Sequence, residues 1–321
     1  MLSHTSQRSL IRAQNRRILR SRLLRSVDMY LLLLPGLLLV LVFAYFPMYG
    51  IVIGFKDYSL FAGRTPLEAV FNSPWVGLRH WNVLWTQMDF RRALANTFII
   101  SAMKIAFGFP APILLALMIN EVRQRALKRV IQSTLYLPHF MSWVVVGALF
   151  QSILGTSGVV NHMIVSLGGT QQRFFMDNAW FRWVLLLTSM WKESGWSTIV
   201  YLAAITGIDP QLYEAARVDR ANRWQQILHV TLPGIAPTIV MMFILRLGGM
   251  MDAGFSQILV MYNPTVYKSG DIIGTYVYRI GLGQLNFSQG TLVGLFNSVV
   301  NCILMLGGNM LSRKLTEKSI W

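Results

Sequence analysis

An all-α, polytopic membrane protein with six transmembrane helices is the fold that the sequence predicts, on three observations. Of its 321 residues 54% are hydrophobic and only 13% charged, and the mean hydropathy of +0.47 is far too apolar for a soluble domain of this length. The apolar residues fall into runs of the length, about 20 residues, that a helix needs to cross a bilayer core. The net charge of +16 lies between those runs and not on a soluble basic module, which argues against nucleic-acid binding.

Residues 1–28 form a basic tail, in which Leu10, Ile11, Ile18, Leu19, Leu23 and Leu24 alternate with arginines. Two readings fit it: an amphipathic helix on an anionic leaflet, or a solvated tail that only fixes topology. The first apolar run starts near Met29, is too long for the core of a signal peptide and lacks a small-residue cleavage site, so it reads as a retained helix. The expected spans are 29–53, 94–119, 134–155, 180–207, 235–262 and 289–311. Buried helices of a soluble protein do not explain them, because too little polar sequence would remain to cover so many. In the second span Pro110 and Pro112 predict a kink, and in the fifth Gly248-Gly249 predicts close helix approach. The lone cysteine, Cys302, excludes an intrachain disulfide. Residues 312–321 read as a second short tail.

Lys and Arg set the orientation. One set of flanks holds the N-tail arginines, then Arg123, Arg125, Lys128 and Arg129, then Arg217, Arg220 and Arg223, then Arg313, Lys314 and Lys318. The opposite flanks are poorer, and most of their cations sit in the long first loop, which counts for less. Both termini are therefore expected in the cytoplasm.

The loop at 208–234 then faces the cytoplasm. Asp209-Pro210 is a strong helix start, with a side-chain acceptor at the cap and a proline where no amide donor is needed. Ala215 and Ala216 permit close approach of another protein, Glu214, Arg217, Asp219 and Arg220 supply charged contacts, and Leu232-Pro233 is expected to stop the second helical piece before the next span. Physically, an amphipathic connector fits these residues as well. The spacing of Glu214-Ala215-Ala216, Val230 and Leu232-Pro233 nevertheless resembles the EAA loop of the permeases of binding-protein-dependent ABC importers: Glu-Ala-Ala, three residues, Gly, nine residues, Ile, one residue, Leu-Pro. Arg220 departs from it, standing where the family has glycine. Leu34-Pro35-Gly36, Tyr136-Leu137-Pro138-His139-Phe140, Trp191-Lys192-Glu193, Tyr262-Asn263-Pro264 and Thr275-Tyr276-Val277-Tyr278-Arg279 resemble the polysaccharide and lipo-oligosaccharide branch, especially first permease subunits of alginate importers.

The resemblance implies a type I ABC importer permease architecture. It also implies a heterodimer with a second permease sitting on a pair of ATPase subunits, with a separate ATPase docked on the 208–234 loop, an extracytoplasmic substrate-binding protein, and a saccharide cargo. The chain is then a permease without catalytic, cofactor or metal residues, and ATP and Mg belong to the partner ATPase. Consistently, it has no Gly-rich phosphate loop of the Walker type.

Charges inside spans mark the candidate path, since each costs about 2.5–3.5 kcal/mol at a helix centre on insertion scales. Lys104, Lys192, Glu193, Arg246 and Asp252 are expected to face protein or water, with Trp191 and Trp196 as flat partners for sugar rings. Ion pairs that hold the bundle explain the charges equally well, and packing or interfacial anchoring explains the tryptophans. Adjacent helical residues point about 100° apart, so Lys192 and Glu193 need not pair. No metalloprotease, serine-hydrolase or metal-ligand spacing is present, and the histidines receive no role. An ion-coupled secondary transporter is the competing reading, from which the loop at Glu214 discriminates.

Overall fold

The computed structural model describes residues 27–316, with side chains from Met29 to Met310. The basic tail expected at 1–28 lies outside them but for Val27 and Asp28, as does the end of the tail expected at 312–321. Among the described residues the chain is helical, with only an isolated bridge between Lys56 and Trp75 to represent β-structure. It divides between Ile53 and Gly54 into two compact units.

The first unit holds most of α1 (Met29–Phe55). A π-helical turn, Leu41–Tyr45, precedes Pro47 there, which opens the backbone ladder just where the proline cannot donate.

The second unit starts with two short helices, α2 (Pro66–Asn72), capped by the Thr65 hydroxyl on the Glu68 amide at 3.2 Å, and α3 (Arg79–Thr86). Then come α4 (Met88–Glu121), α5 (Arg125–Tyr136), α6 (Trp143–Ser166, interrupted at 155–158) and α7 (Asn178–Thr206). They are followed by α8 (Pro210–Val218), α9 (Arg223–Gly248), α10 (Phe255–Met261), α11 (Ile273–Val277) and α12 (Phe287–Thr316). Five of these helices, α1, α4, α6, α9 and α12, are long and apolar enough to cross a membrane, and α10 belongs to a shorter apolar stretch. Helix α7, at 29 residues, is about 43 Å long at 1.5 Å per residue, ample for a bilayer. It misses the apolarity of the others because it buries Thr188, Ser189, Lys192, Ser194 and Thr198.

Three apolar clusters hold the second unit together. One joins α6, α7 and α10 through Val146, Phe181, Leu185 and Ile258; a second joins α4, α11 and α12 through Phe90, Tyr276, Leu292 and Val293. The third joins α4, α7 and α9 through Ile119, Tyr201, Ile205 and Ile235. Helix α7 serves two of the three and is the central column. In lipid, association depends on close packing more than on apolar burial. Gly195 on α7 accordingly lies so near the Leu135 carbonyl that no Cβ fits. The approach expected at Gly248-Gly249 is looser: a Cβ on Gly248 would meet Met305 at an ordinary 3.5 Å.

Several boundaries differ from the sequence expectation. The third span begins at Trp143, not 134, because Pro138 breaks the ladder after α5 and the Ser142 hydroxyl then caps a new helix on the Val145 amide at 3.3 Å. Leu232-Pro233 does not stop a helix; a π-helical turn at Ile227–Thr231 absorbs the proline, and α9 runs continuously from Arg223. The span expected to reach 262 instead ends at Gly248. A break follows in which Asp252 lies in a 3₁₀ turn, and Ala253 and Gly254 take left-handed φ values of 49° and 86°. The kink predicted at Pro110 and Pro112 is a π-helical turn at Lys104–Gly108.

Candidate functional site

Two places in the second unit carry chemistry: the 208–234 loop and a charged cleft between α4, α7 and α9. In the loop, the Asp209 carboxylate accepts from the Gln211 amide at 2.9 Å and Pro210 opens α8, as the sequence predicts. Helix α8 ends in a Schellman turn. The Ala221 amide donates to the Ala216 carbonyl at 2.9 Å and the Arg220 amide to the Arg217 carbonyl at 3.0 Å, while Arg220 itself has φ +57°. Arg220 thus adopts the left-handed backbone that glycine takes without strain. Asn222 then caps α9, its side chain accepting from the Gln225 amide at 3.0 Å and the Gln225 side chain accepting from the Asn222 amide at 2.7 Å.

The loop is tied to the spans on its inner side. The Tyr213 hydroxyl lies 3.0 Å from the buried Thr231 hydroxyl, and the Arg223 guanidinium donates to the Glu121 carboxylate at the end of α4. On the outer side Glu214, Ala215, Arg217, Asp219 and Arg220 are exposed, together with the apolar Leu212, Val218 (82% exposed) and Trp224 (74%). Leu232 is half-buried and Pro233 exposed at the π-turn exit.

Lys104, Ser189, Glu193 and Arg246 line both of two adjoining cavities of 260 and 210 Å³. Tyr201, Ser194 and Ser197 extend the first, and Asp252, Ser101 and Ser256 the second. The Lys104 ammonium is buried and donates to the Ala253 carbonyl at 2.9 Å and to Gln257 Oε1 at 2.5 Å. Gln257 Nε2 in turn donates to the Leu185 carbonyl at 2.7 Å and the Thr188 hydroxyl at 2.6 Å. Lys104 therefore braces the broken backbone after α9, helped by the Ser101 hydroxyl on the Met250 carbonyl and by Asn301, which accepts from the Met251 amide at 3.1 Å. Glu193, Arg246 and Asp252 form no salt bridge among the described residues. The cleft thus offers carboxylate acceptors and a guanidinium fork to whatever enters it.

The other candidates lie elsewhere. Lys192 is buried with its ammonium donating to the His139 carbonyl at 2.6 Å and standing 5.4 Å from the Trp143 ring centre, on a different face of α7 from Glu193. Trp196 stacks on the His139 ring at 4.6 Å and Trp191 meets Phe150 edge-to-face at 5.4 Å. Neither tryptophan lines the two cavities.

Beyond the cleft, a polar knot joins α4, α7 and the segment before α11. Arg182 donates to Asn96 Oδ1 at 2.8 Å and to the Ser269 carbonyl at 3.1 Å, and Asn96 Nδ2 donates to the Asp271 carbonyl at 2.9 Å. Asp271 accepts two hydrogen bonds from Arg279, at 2.7 and 3.0 Å, with the guanidinium 4.6 Å from the Tyr267 ring centre. Burial alone would lower the Arg279 pKa, but the Asp271 hydrogen bonds outweigh it and hold it above its ordinary value.

Residues 108–317, which include the loop and most of the cleft, match the family model described as binding-protein-dependent transport system inner membrane component. The chain belongs to that family. It is 42% identical to the polygalacturonan/rhamnogalacturonan transport system permease protein YteP of Bacillus subtilis (strain 168), over 97% of this chain and 96% of that one. It is 28% identical to the arabinooligosaccharides transport system permease protein AraP of the same organism, over 89% of this chain and 88% of that one. Among solved structures, a chain in the crystal structure of a bacterial ABC transporter involved in the import of the acidic polysaccharide alginate is 41% identical, with a TM-score of 0.86 covering 93% of this chain and 99% of that one. The fold is that of a type I ABC importer permease, and as a member of this family the chain is a permease subunit, not an enzyme.

In this permease the sequence reading missed the exposed Val218 and Trp224, because an apolar residue in a cytoplasmic loop is unremarkable until its burial is known. It missed the Tyr213–Thr231 and Arg223–Glu121 ties and the Lys104–Gln257 brace for another reason. Their partners are 18, 102 and 153 residues apart in sequence.

Proposed function

We propose that the chain is one of two permease subunits of an ATP-driven importer for acidic oligo- or polysaccharides, working by alternating access. The observation that carries the choice of cargo is Arg246, a guanidinium without a salt-bridge partner among the described residues, on the wall of the charged cleft beside Glu193 and the serines. Sugar hydroxyls need both donors and acceptors, and a uronate carboxylate needs a cation that is not already neutralised. Relatives named for polygalacturonan/rhamnogalacturonan and for alginate support a uronate cargo. The exposed apolar and charged face of α8 is the docking surface for a partner ATPase, which binds ATP and Mg, with two copies per importer. An extracytoplasmic binding protein delivers the saccharide, and both termini are cytoplasmic.

ATP-driven closure of the ATPase pair moves α8, and the ties through Thr231 and Glu121 pass that motion to α9 and α4, which flank the cleft. Importers of neutral oligosaccharides are the second reading, favoured by the similarity to the arabinooligosaccharide permease. In proteoliposomes, Arg246→Gln is expected to cut uptake and substrate-stimulated ATPase activity with a uronate oligomer at least tenfold while leaving basal ATPase activity unchanged. Normal values with the uronate oligomer would remove Arg246 from the path and the acidic cargo with it.

A further inference from the structure

Helix α5 is fixed between two membrane-length helices, with three residues separating it from the end of α4 and six from the start of α6. At about 18 Å in length it does not span a bilayer core. Its inner face is Ile131 and Leu135, packed on the cluster of Ile119 and Tyr201. A second apolar stripe, Leu127 and Val130 on α5 continued by Leu137 in the 3₁₀ turn that follows it, lies on the outside, where these side chains are 47%, 61% and 65% exposed. Arg125 and Arg129, one turn apart, occupy the remaining exposed face, and among neighbouring carboxylates Glu121 is already engaged by Arg223.

A short helix tethered at both ends to membrane spans, with an uncovered apolar stripe beside an uncovered basic one, has the form of an interfacial helix. We propose that α5 lies in the membrane interface, its Leu127–Val130–Leu137 stripe among acyl chains and Arg125 and Arg129 on the phosphates of anionic phospholipid. The apolar stripe favours lipid over a solvated surface, and the two arginines, which form no salt bridge among the described residues, select headgroups of negative charge. This fixes the level of the α4–α6 connection against the bilayer while α8 and α9 move.

Cys302 is the only cysteine in the chain, so a nitroxide placed by Val130→Cys in a Cys302→Ser background reports on one position once the importer is assembled with cysteine-free partners in nanodiscs containing phosphatidylglycerol. The expected result is strong relaxation by oxygen and weak relaxation by a water-soluble nickel chelate. Exclusion of both reagents would show a protein partner over the stripe, and strong relaxation by nickel would show water; either overturns the proposal. In the second arm, phosphatidylglycerol and phosphatidylcholine retained by the purified importer are compared by native mass spectrometry. Arg125→Gln and Arg129→Gln are each expected to lower the preference for phosphatidylglycerol about fivefold, and an unchanged ratio in the double variant would overturn the headgroup assignment.

Discussion

Replacing Arg220 by glycine should stabilise the turn at the end of α8. An L-residue in the left-handed region carries a steric cost of about 1–2 kcal/mol, which glycine escapes. Glycine gives back about 0.5–1 kcal/mol through the greater freedom of its unfolded chain. The net gain is about 0.5–1 kcal/mol for a turn that already has both Schellman hydrogen bonds, Ala221 to Ala216 and Arg220 to Arg217. Hydrogen exchange followed by mass spectrometry on the reconstituted importer reads this directly, since opening the turn frees both amides. A gain of that size slows their exchange about two- to fivefold. Arg220→Val, which puts a β-branched side chain at φ +57°, should speed exchange by at least a similar factor. Unchanged or faster exchange in the glycine variant, together with a valine variant like the native chain, would refute the left-handed turn.

Substitutions at three further positions test the packing and polar ties. Lys104→Met leaves Gln257 Oε1 and the Ala253 carbonyl buried without their donor, at a cost of about 1–3 kcal/mol, and should lower the melting temperature in detergent. Gly195→Ala drives a Cβ into the Leu135 carbonyl and should cost about 1–3 kcal/mol, seen as a lower melting temperature and a smaller monodisperse yield. Asp271→Asn removes the carboxylate that holds the half-buried Arg279 and should cost about 2 kcal/mol by thermal unfolding, with Asp271→Glu recovering part of it.

The hydropathy runs announced the helical class and the five helices apolar and long enough to cross a membrane, because apolar length is a local property. The helix ends were less legible. The break after Gly248 lies inside a stretch that reads as one span; Ser101, Lys104 and Asn301 reach it from α4 and α12 and hold its backbone. The late start of α6 was nearer to the surface of the sequence, since Pro138 and Ser142 were both in view. At the cleft, the cost of intramembrane charge singled out Lys104, Glu193, Arg246 and Asp252, and the fold brings these four to adjoining cavities. The same argument could not separate Lys192 from Glu193, because only the packing shows that Lys192 meets the His139 carbonyl while its neighbour faces the cleft. Trp191 and Trp196 were chosen for their ring faces; Trp191 meets Phe150 edge-to-face and Trp196 stacks one face on His139, and both rings lie away from the two cavities. Arg220 was visible as a departure from the loop pattern. Its φ shows that the arginine keeps the turn instead of abolishing it.

The most direct measurement is uptake of a labelled uronate oligosaccharide by proteoliposomes holding the assembled importer, with ATP inside and the binding protein outside. Uptake is predicted to require ATP and to fall to background in Glu214→Lys and Val218→Asp, variants of the exposed face of α8 that leave the membrane helices intact. Uptake that runs on an ion gradient without ATP, or that survives both substitutions, would contradict the account.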